Sequence, residues 1–273
     1  MSTITRTAEV ATMDPVWDAV TSGARHVAQV EPSLANLVYS NVLNHDSFES
    51  ALAHRLAERL GHPDVSADLI RQAFHDALAI RPEIGLEARA DLAATLERDP
   101  ALHKAVDGFL YFKGYHAIQT HRFTHTLWMN GRRDFALYLQ SRSSAVFQVD
   151  INPAARIGKG IMLDHATGFV VGETAVIGDN VSILQGVTLG GTGKSEEDRH
   201  PKIGNGVLIG AHSVVLGNIK VGECARIGAG SVVVKEVPPR VTVAGVPARI
   251  IGVAGTAHPA SVMDQSIALD TTG

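Results

Sequence analysis

The chain reads VDINPAARIGKGIMLDHATGFVVGETAVIGDNVSILQGVTLGG over residues 149–191, and an aliphatic residue recurs in this stretch about every six positions. Thirteen such anchors, all Ile, Leu or Val, extend to residue 233, and eight of them are followed directly by Gly. A period of six matches neither an α-helix nor a half-buried strand, but it is the hexapeptide signature of a parallel β-helix. The anchors, which we expect to point inward, are Ile151, Ile157, Leu163, Val171, Ile177, Ile183, Leu189, Ile203, Ile209, Val215, Val221, Ile227 and Val233.

The repeat is interrupted twice, and each interruption carries a histidine beside charged residues. One step of eight positions and one of fourteen replace multiples of six. The first contains Asp164 and His165, and the second, residues 190–202, contains Arg199 and His200. Loops on a rigid scaffold often hold functional groups. We therefore predict that the two interruptions mark a functional site.

The residues before the repeat are predicted to be helical, because apolar stripes lie between capping residues and helix breakers. The predicted helices start at Asp14, span residues 47–61, 66–81 and 83–98, and continue over 109–130 and 134–147. The predicted fold class is α+β, with an N-terminal all-helical oligomerisation domain followed by a parallel β-helix of hexapeptide repeats. The domains are residues 1–147, the β-helix at 148–254 with about five coils, and a polar flexible tail at 255–273.

Composition excludes several classes of protein. The chain of 273 residues is 45% hydrophobic and 19% charged with a net charge of −4, which argues against nucleic acid as a main partner. It has neither the apolar core of a secretory signal nor a run of apolar residues long enough to span a membrane. The single cysteine, Cys224, rules out an internal disulfide framework. We expect a cytoplasmic protein.

Residues 149–204 resemble the serine O-acetyltransferase family, as do IGAGSVVVKEVPP and AGVPARI further on and ERDPALHKAVDGFLYFKGYHAIQTHRFTHTLW upstream. The likeness is strong from about residue 95 to 250, and LDHATG together with GGTGKSEEDRHPK makes it specific. It implies a left-handed β-helix and transfer of an acetyl group from acetyl-CoA to the hydroxyl of L-serine. The products would be O-acetyl-L-serine and CoA, in the committed step of cysteine biosynthesis.

The resemblance also assigns residues to the reaction. Because the serine hydroxyl is a poor nucleophile at neutral pH, it needs a positioned base, and His165 takes that role by likeness to the family. Asp150 would hold the His165 imidazole in the right tautomer, as the carboxylate of a triad does. The family's pair of carboxylates for the serine ammonium corresponds to Asp99 and Asp164.

The remaining implied contacts concern the serine carboxylate and the acyl donor. A forked guanidinium suits a carboxylate, so Arg199 would bind it with His200 beside it. Backbone N–H groups of the glycine-rich loop, Gly191 first, would stabilise the oxyanion that forms on the thioester carbonyl. CoA would lie in a groove between neighbouring subunits near the small residues Ala211 and Ala229. No metal or prosthetic group is expected.

The family resemblance further implies trimers formed through the β-helix and a hexamer made of two trimers. Feedback inhibition by L-cysteine at the serine site is a hypothesis that rests on the shared amino-acid zwitterion. Family members often end in an Ile that enters the active site of O-acetylserine sulfhydrylase. This chain ends in Thr272-Gly273, which departs from that pattern and puts this complex in question.

Metal chemistry is the first alternative. His165, His200 and His212 offer three imidazoles to zinc in a β-helix enzyme of the carbonic-anhydrase kind. The arginine before His200 would repel a cation, and His212 lies in a regular part of the repeat. His121 and His125 have the spacing of helical metal ligands, but helix packing explains them better.

Three further readings remain. The same scaffold could acetylate another hydroxyl or amine acceptor. Asp99 and the DRH segment argue against this reading, because they favour an amino acid. A non-catalytic scaffold is disfavoured by His165 and Asp150. An acetyl-enzyme route through Cys224 is disfavoured because this cysteine lies in a regular coil without an adjacent His.

Overall fold

The structure, a computed structural model, describes residues 13–193 and 196–266 of the chain. A helical region from Pro15 to Phe147 precedes a parallel β-helix that begins at Val149. The predicted order, helices first and hexapeptide solenoid second, is therefore confirmed. No helix of the described ranges is both long and apolar enough to cross a membrane.

Side-chain caps start three of the helices where the sequence predicts them. Asp14, Ser47 and Ser66 each accept a hydrogen bond from the backbone N–H three residues on, at 3.1, 3.2 and 3.4 Å. The helices before the solenoid are α1 (Pro15–Val30), α2 (Ala35–Val38), α3 (Phe48–Leu60), α4 (Ala67–Ile80), α5 (Glu83–Arg98), α6 (Ala105–Tyr111), α7 (Lys113–Met129) and α8 (Arg133–Phe147). A 3-10 turn over Pro32–Leu34 and a π turn over Tyr39–Leu43 flank α2.

The solenoid consists of short strands stacked in three sheets. Sheet I has the order β1-β4-β7-β10-β13, sheet II β11-β8-β5-β2, and sheet III β15-β14-β12-β9-β6-β3. The strands are β1 (Val149–Ile151), β2 (Arg156–Ile157), β3 (Met162–Leu163), β4 (Phe169–Val171), β5 (Val176–Ile177), β6 (Ser182–Ile183), β7 (Thr188–Gly190), β8 (Lys202–Ile203), β9 (Leu208–Ile209), β10 (Val214–Leu216), β11 (Lys220–Val221), β12 (Arg226–Ile227), β13 (Val232–Val233), β14 (Val241–Gly245) and β15 (Ala248–Val253). Only the β14–β15 hairpin pairs antiparallel among these strands.

The thirteen anchors form the solenoid core. Twelve of them are buried, and Ile157, in the first coil, is half-buried and packs against the others. Anchors of successive coils are paired in register, as Ile151 is with Val171 and Ile177 with Ile203. The three sheets form the faces of a triangular prism, and six residues carry the chain from one face to the next.

Two edges of this prism carry the predicted site residues. We call the turns that lead from sheet III to sheet I the first edge; they include residues 164–168, 210–213 and 228–231. The turns from sheet I to sheet II form the second edge, which includes residues 172–175 and the long loop after β7. Each interruption of the repeat thus enlarges a turn, one on each edge.

The helical region is bound to the first coils through buried polar contacts. Arg98, at the end of α5, donates to the carbonyl of Gly160 at 3.0 Å and to Ser182 Oγ at 3.1 Å. Asp91 accepts the backbone N–H of Ile161 at 2.9 Å. Because these groups are buried, losing them would leave unpaired polar atoms in the interior. The position of α5 is therefore fixed by the β-helix.

A predicted helix over residues 109–130 proves to be two helices, α6 and α7, with Phe112 in an extended conformation between them. The break lets the start of α7 lie against β3. A Cβ at Gly114 would overlap the carbonyl oxygen of Leu163, so this close approach requires glycine.

The end of the chain folds back onto the solenoid. After the β14–β15 hairpin, helix α9 (Pro259–Val262) follows, and Ser182 Oγ donates to the carbonyl of Ala260 at 2.8 Å. Arg226 donates to the carbonyl of Asp264 at 3.1 Å. The first part of the predicted flexible tail, residues 255–266, thus makes specific contacts with the β-helix. Residues 267–273, including the terminal Thr272-Gly273, lie outside the described residues.

Candidate active site

The largest cavity described, about 860 Å³, opens on the first edge where α5, α7, the β3–β4 turn and the folded-back chain end meet. Its lining includes Asp99, Lys113, Asp164, His165 and Gln265. Three of the predicted site residues therefore line one cavity, although they come from both the helical region and the solenoid.

His165 sits in a turn that L-residues seldom adopt. His165 and Ala166 have φ of 55° and 62°, in the left-handed region that usually favours glycine. Thr167 donates its backbone N–H to the carbonyl of His165 at 2.7 Å, and the Lys113 ammonium donates to the Thr167 hydroxyl. The imidazole itself is 73% exposed, so the braced turn presents it to whatever enters the cavity.

Two carboxylates lie beside this imidazole. An oxygen of Asp164 is 3.7 Å from His165 Nε2, and only 21% of the Asp164 side chain is exposed. Burial raises the pKa of Asp164, the nearby His165 lowers it, and the charge of Asp99 raises it. The carboxylate of Asp164 beside that of Asp99 is an incomplete cation site, which an ammonium group would complete.

Asp99 owes its place to its neighbours in sequence. It follows Arg98 at the C-terminal end of α5, and its side chain accepts the backbone N–H of Ala101 at 2.8 Å. Since Arg98 is anchored in the first two coils, the carboxylate of Asp99 is held at the mouth of the first-edge cavity.

A second cluster forms on the second edge around Thr174. The Thr174 hydroxyl accepts the backbone N–H groups of Arg199 and His200 at 3.0 and 3.1 Å, and it lies 2.9 Å from Nδ1 of His200. The backbone N–H of Thr174 also donates to that nitrogen, at 3.2 Å. One threonine thus fixes both members of the Arg199-His200 pair.

These hydrogen bonds determine the state of His200. Burial and the adjacent Arg199 lower the pKa of the imidazole, so the ring is neutral. Because Nδ1 accepts an N–H, the single ring proton lies on Nε2. Nε2 faces Gly172 and Gly191, and a Cβ at Gly172 would overlap it. His200 therefore presents one N–H donor next to two glycines, which have no side chain to cover it.

Arg199 and Gly191 belong to the same cluster. Arg199 pairs with Glu173 at 2.8 Å and donates to the carbonyls of Glu196 and Glu197 at 3.2 and 3.3 Å. A Cβ at Gly191 would lie 3.2 Å from Cγ of Arg199. The predicted glycine loop and the predicted carboxylate-binding pair are neighbours.

Sequence reasoning missed Glu173 and Thr174. The register of sheet II would have found them, because Val176 pairs with Lys202, and Thr174 and His200 each lie two residues before a member of that pair. The insertion in the β7–β8 loop hides this relation from a simple count of six.

Within one chain the two clusters are not brought together. The first-edge group (Asp99, Asp164, His165) and the second-edge group (Arg199, His200) occupy opposite margins of sheet I. None of the second-edge residues lines the first-edge cavity.

Asp150 is likewise apart from His165 in this arrangement. Its Oδ1 accepts the side-chain N–H of Gln140 at 2.6 Å, and it lines a separate cavity of about 500 Å³ against α8. In the described ranges, the ion-pair partner of His165 is Asp164. The predicted Asp150–His165 hydrogen bond is therefore not formed in this structure.

The predicted CoA contacts fall on the edge that carries His165. Ala211 and Ala229 lie on the first edge in successive coils, and the backbone N–H of Gly230 donates to the carbonyl of Ala211 at 2.8 Å. A line of small residues thus runs along this edge away from the imidazole.

The three histidines considered for zinc do not converge. His165 and His212 lie on the first edge in different coils, and His200 lies on the second. Over the described ranges, no three His, Cys, Asp or Glu side chains are grouped as metal ligands. Cys224 is a partly exposed residue in a turn between β11 and β12, on the remaining edge of the prism.

Comparison with known proteins gives a consistent result. A family profile described as "Serine acetyltransferase, N-terminal" matches residues 16–120, and one described as "Bacterial transferase hexapeptide (six repeats)" matches residues 200–235. The chain is 53% identical to a serine acetyltransferase of Escherichia coli over 253 residues, which cover 93% of each protein.

Solved structures of similar proteins include ligand complexes. A serine acetyltransferase from Brucella abortus in complex with coenzyme A is 60% identical, with a TM-score of 0.88 over 89% of this chain and 97% of the other. One from Neisseria gonorrhoeae in complex with serine is 51% identical, with a TM-score of 0.84 over 88% and 99%. A serine acetyltransferase in complex with cysteine is 50% identical, with a TM-score of 0.91 over 92% and 98%.

Proposed function

Since this chain belongs to the serine acetyltransferase family, we propose that its acyl transfer takes place in the first-edge cavity, with His165 as the general base. The protein is an acyltransferase that moves the acetyl group of acetyl-CoA to the hydroxyl of L-serine. The observation that carries the proposed site is the exposed imidazole of His165 beside the paired carboxylates of Asp99 and Asp164.

The carboxylate pair selects an acceptor with an ammonium group. Placing the serine ammonium between Asp99 and Asp164 neutralises two charges that otherwise repel each other, and Asp164 then stays ionised despite its burial. The serine hydroxyl oxygen, three bonds from the ammonium nitrogen, would then lie next to His165. An acceptor that lacks an ammonium group would leave both carboxylates unpaired, which argues against a sugar in this cavity.

The chemical step needs only a proton shuttle and an oxyanion site. The His165 imidazole takes the hydroxyl proton as the serine oxygen bonds to the thioester carbon. When the tetrahedral intermediate collapses, the C–S bond breaks and the imidazolium returns the proton to the leaving thiolate, giving CoA and O-acetyl-L-serine. Asp150 would orient the imidazole after exchanging its hydrogen bond with Gln140 for one with His165. The backbone N–H of Gly191 is our choice of oxyanion donor.

The serine carboxylate requires the second cluster, and we propose that a neighbouring copy of the chain supplies it. Arg199 and the Nε2–H of His200 form a donor set suited to a carboxylate, but they lie on the other margin of sheet I from His165. A cyclic trimer has heterologous interfaces, in which the first edge of one copy can face the second edge of the next. CoA would lie along the same interface, past Ala211 and Ala229.

Assembly beyond the trimer is proposed from exposed apolar side chains on the helices. Leu69, Ile80, Leu86 and Met129 are between 52% and 69% exposed, and an interface would remove their apolar surface from water. Pairing of two trimers through the helical region would cover such residues and give a hexamer.

Regulation and partners follow from the same site. L-cysteine has the ammonium and carboxylate of serine with a thiol in place of the hydroxyl, so we propose that it competes for Asp99, Asp164, Arg199 and His200, as feedback control of cysteine biosynthesis would require. The relative solved with cysteine supports this proposal. We also propose a cytoplasmic location. A complex with O-acetylserine sulfhydrylase through the C-terminal tail is a further proposal.

Co-expression of two inactive variants tests the shared site. His165→Ala and Arg199→Ala chains with different affinity tags would each be inactive alone. Each trimer that contains both variants has one intact interface out of three, so trimers purified through both tags should recover about a third of the wild-type rate. The same two variants mixed after separate assembly are the control. If tagged mixed trimers remain inactive, both clusters serve the site of their own chain.

A further inference from the structure

A second cavity, about 200 Å³, lies where the helical region meets the first coil of the solenoid. It is lined by Arg81, His121, Arg122, His125, Arg156 and Ile157, none of which lines the first-edge cavity. Five of these six residues carry a guanidinium or an imidazole, and the proposed reaction uses none of them.

The charges around this cavity do not balance. Arg122 pairs with Asp91 at 2.6 Å and with Glu87 at 2.9 Å, and Glu87 also pairs with Arg81. Arg156, on β2, forms no ion pair with a carboxylate of the described ranges. The cavity lining holds three guanidinium groups and no carboxylate; outside the lining, Glu87 and Asp91 pair with Arg122, and the exposed Asp198 interacts with Arg156. The arginine members of these ion pairs line the cavity, whereas Glu87 and Asp91 do not.

The two histidines contribute hydrogen-bond acceptors. His121 Nε2 lies 3.1 Å from the carbonyl of Ala155, and His125 Nδ1 lies 2.7 Å from the carbonyl of Pro153. A carbonyl only accepts, so these two nitrogens carry the ring protons. In the neutral rings, the other two nitrogens, Nδ1 of His121 and Nε2 of His125, therefore carry lone pairs and can accept hydrogen bonds.

Burial keeps both rings neutral. It lowers the pKa of His121 and of His125, and the positive charges of Arg122 and Arg81 lower them further. His121 is only 4% exposed, and its Nδ1 is a buried atom without a partner in the described structure. A buried hydrogen-bond acceptor normally has a donor as its partner, and the guanidinium groups around this cavity favour an anionic ligand.

We propose that this junction pocket binds inorganic phosphate in a partly protonated form. Guanidinium groups of Arg156 and Arg81 would donate to its unprotonated oxygens, and a P–OH group would donate to Nε2 of His125, a lone pair that is not among the buried unpartnered atoms. Sulfate has the same tetrahedral shape but no O–H at neutral pH, so it would leave the imidazole nitrogen unpaired. A metal ion is disfavoured because the excess charge of the pocket is positive.

Isothermal titration calorimetry on the full chain tests this proposal, with inorganic phosphate, sulfate and methyl phosphate compared at pH 7 and constant ionic strength. We expect one phosphate site per chain and sulfate binding weaker by about tenfold or more, the loss expected for one buried hydrogen bond to a charged group. Methyl phosphate is mostly a dianion without a P–OH group at pH 7, so it should also bind more weakly than phosphate, and binding at least as tight as that of phosphate would count against the proposal. Equal binding of sulfate and phosphate would overturn the proposal.

The variant Arg156→Gln locates the site. Arg156 is exposed and forms no ion pair with a carboxylate among the described residues, so the fold should tolerate the change, and we expect phosphate affinity to fall by about tenfold. Arg25→Gln, an exposed arginine on α1, is the matched control and should bind as the wild type does. Crystals soaked in arsenate should show an anomalous peak between Arg156 and His125. Phosphate affinity unchanged in Arg156→Gln, or a peak only elsewhere, would rule the pocket out.

Discussion

Thr174 Oγ1 lies 2.9 Å from Nδ1 of His200 and accepts the backbone N–H of the same histidine at 3.1 Å. These two contacts orient His200, whose tautomer is set by the backbone N–H of Thr174 that donates to Nδ1. Thr174 is therefore a positioning residue, although it would not touch the substrate.

Replacing Thr174 with Val keeps the shape of the side chain and removes its hydroxyl. We expect KM for serine to rise about tenfold, because one or two hydrogen bonds worth about 1 kcal/mol each would no longer orient Arg199 and His200. Thr174→Ser should restore KM, and the apparent KM for acetyl-CoA should stay within about twofold of wild type. Steady-state kinetics and thermal melting distinguish the two roles. A positioning residue raises KM for serine when it is replaced, whereas a residue that only stabilises the loop lowers the melting temperature and leaves KM unchanged.

Asp164→Asn is predicted to weaken serine binding without weakening the fold. A buried carboxylate with a raised pKa is costly to keep ionised, so a neutral amide should leave the melting temperature unchanged or higher. The same change removes a partner of the serine ammonium, and KM for serine should rise about 10- to 100-fold. A fall in melting temperature together with an unchanged KM would contradict the assignment.

The acid side of the pH profile follows from the same carboxylate. Asp164 must be ionised to bind an ammonium, and its pKa in the free enzyme is raised, so kcat/KM for serine should fall as pH decreases through that raised pKa. Burial and Arg199 lower the pKa of His200, which moves the protonation of this ring to more acidic pH. In Asp164→Asn the contribution of this carboxylate to the limb should be absent, as pH-dependent kinetics of the two proteins would show.

Gly114→Val is predicted to disturb the active-site turn from a distance. The added side chain would meet the carbonyl of Leu163 and push α7 from β3, at about 1–3 kcal/mol of overpacking. We expect a lower melting temperature and at least about tenfold lower kcat, because Lys113 would no longer reach Thr167. Gly85→Ala is the control, since its new methyl group meets the movable end of the Glu49 side chain. Equal effects of the two changes would argue against this coupling.

Asp150→Asn tests the proposed orienting carboxylate. We expect kcat to fall about 10- to 100-fold, with KM for both substrates within about threefold, if Asp150 supports the imidazolium of His165. Gln140→Leu removes the partner that Asp150 has in this structure and should keep full activity. If both variants lose stability equally and kcat is unchanged, Asp150 only ties α8 to β1.

The period of six predicted the solenoid almost residue by residue, because an anchor that must be buried leaves a strong trace in sequence. The helix caps at Asp14, Ser47 and Ser66 were equally readable, since a cap is a local interaction. The break at Phe112 was not, because its cause is the contact of Gly114 with a strand about fifty residues further along. Tertiary contact overrode a continuous apolar pattern there.

The candidate site was predictable in its membership but not in its arrangement. His165 and Arg199 could be identified from interruptions and from family likeness, yet no pattern in the sequence says that they occupy different edges of a prism. That fact depends on which sheet follows each turn. Glu173 and Thr174 were missed for the same reason, because their role appears only when adjacent coils are paired.

The anchoring of Arg98 in the first two coils has a consequence for how specificity is divided along the chain. In the proposed site the repeats would supply the wall for the acyl donor, whereas Asp99, the proposed contact of the serine ammonium, directly follows Arg98 at the end of α5. A redesign that exchanges only the segment around residues 97–101 should therefore change which nucleophile is accepted and leave thioester recognition intact. Conversely, a solenoid transferred without its helices should still bind the acyl donor but should no longer select the acceptor.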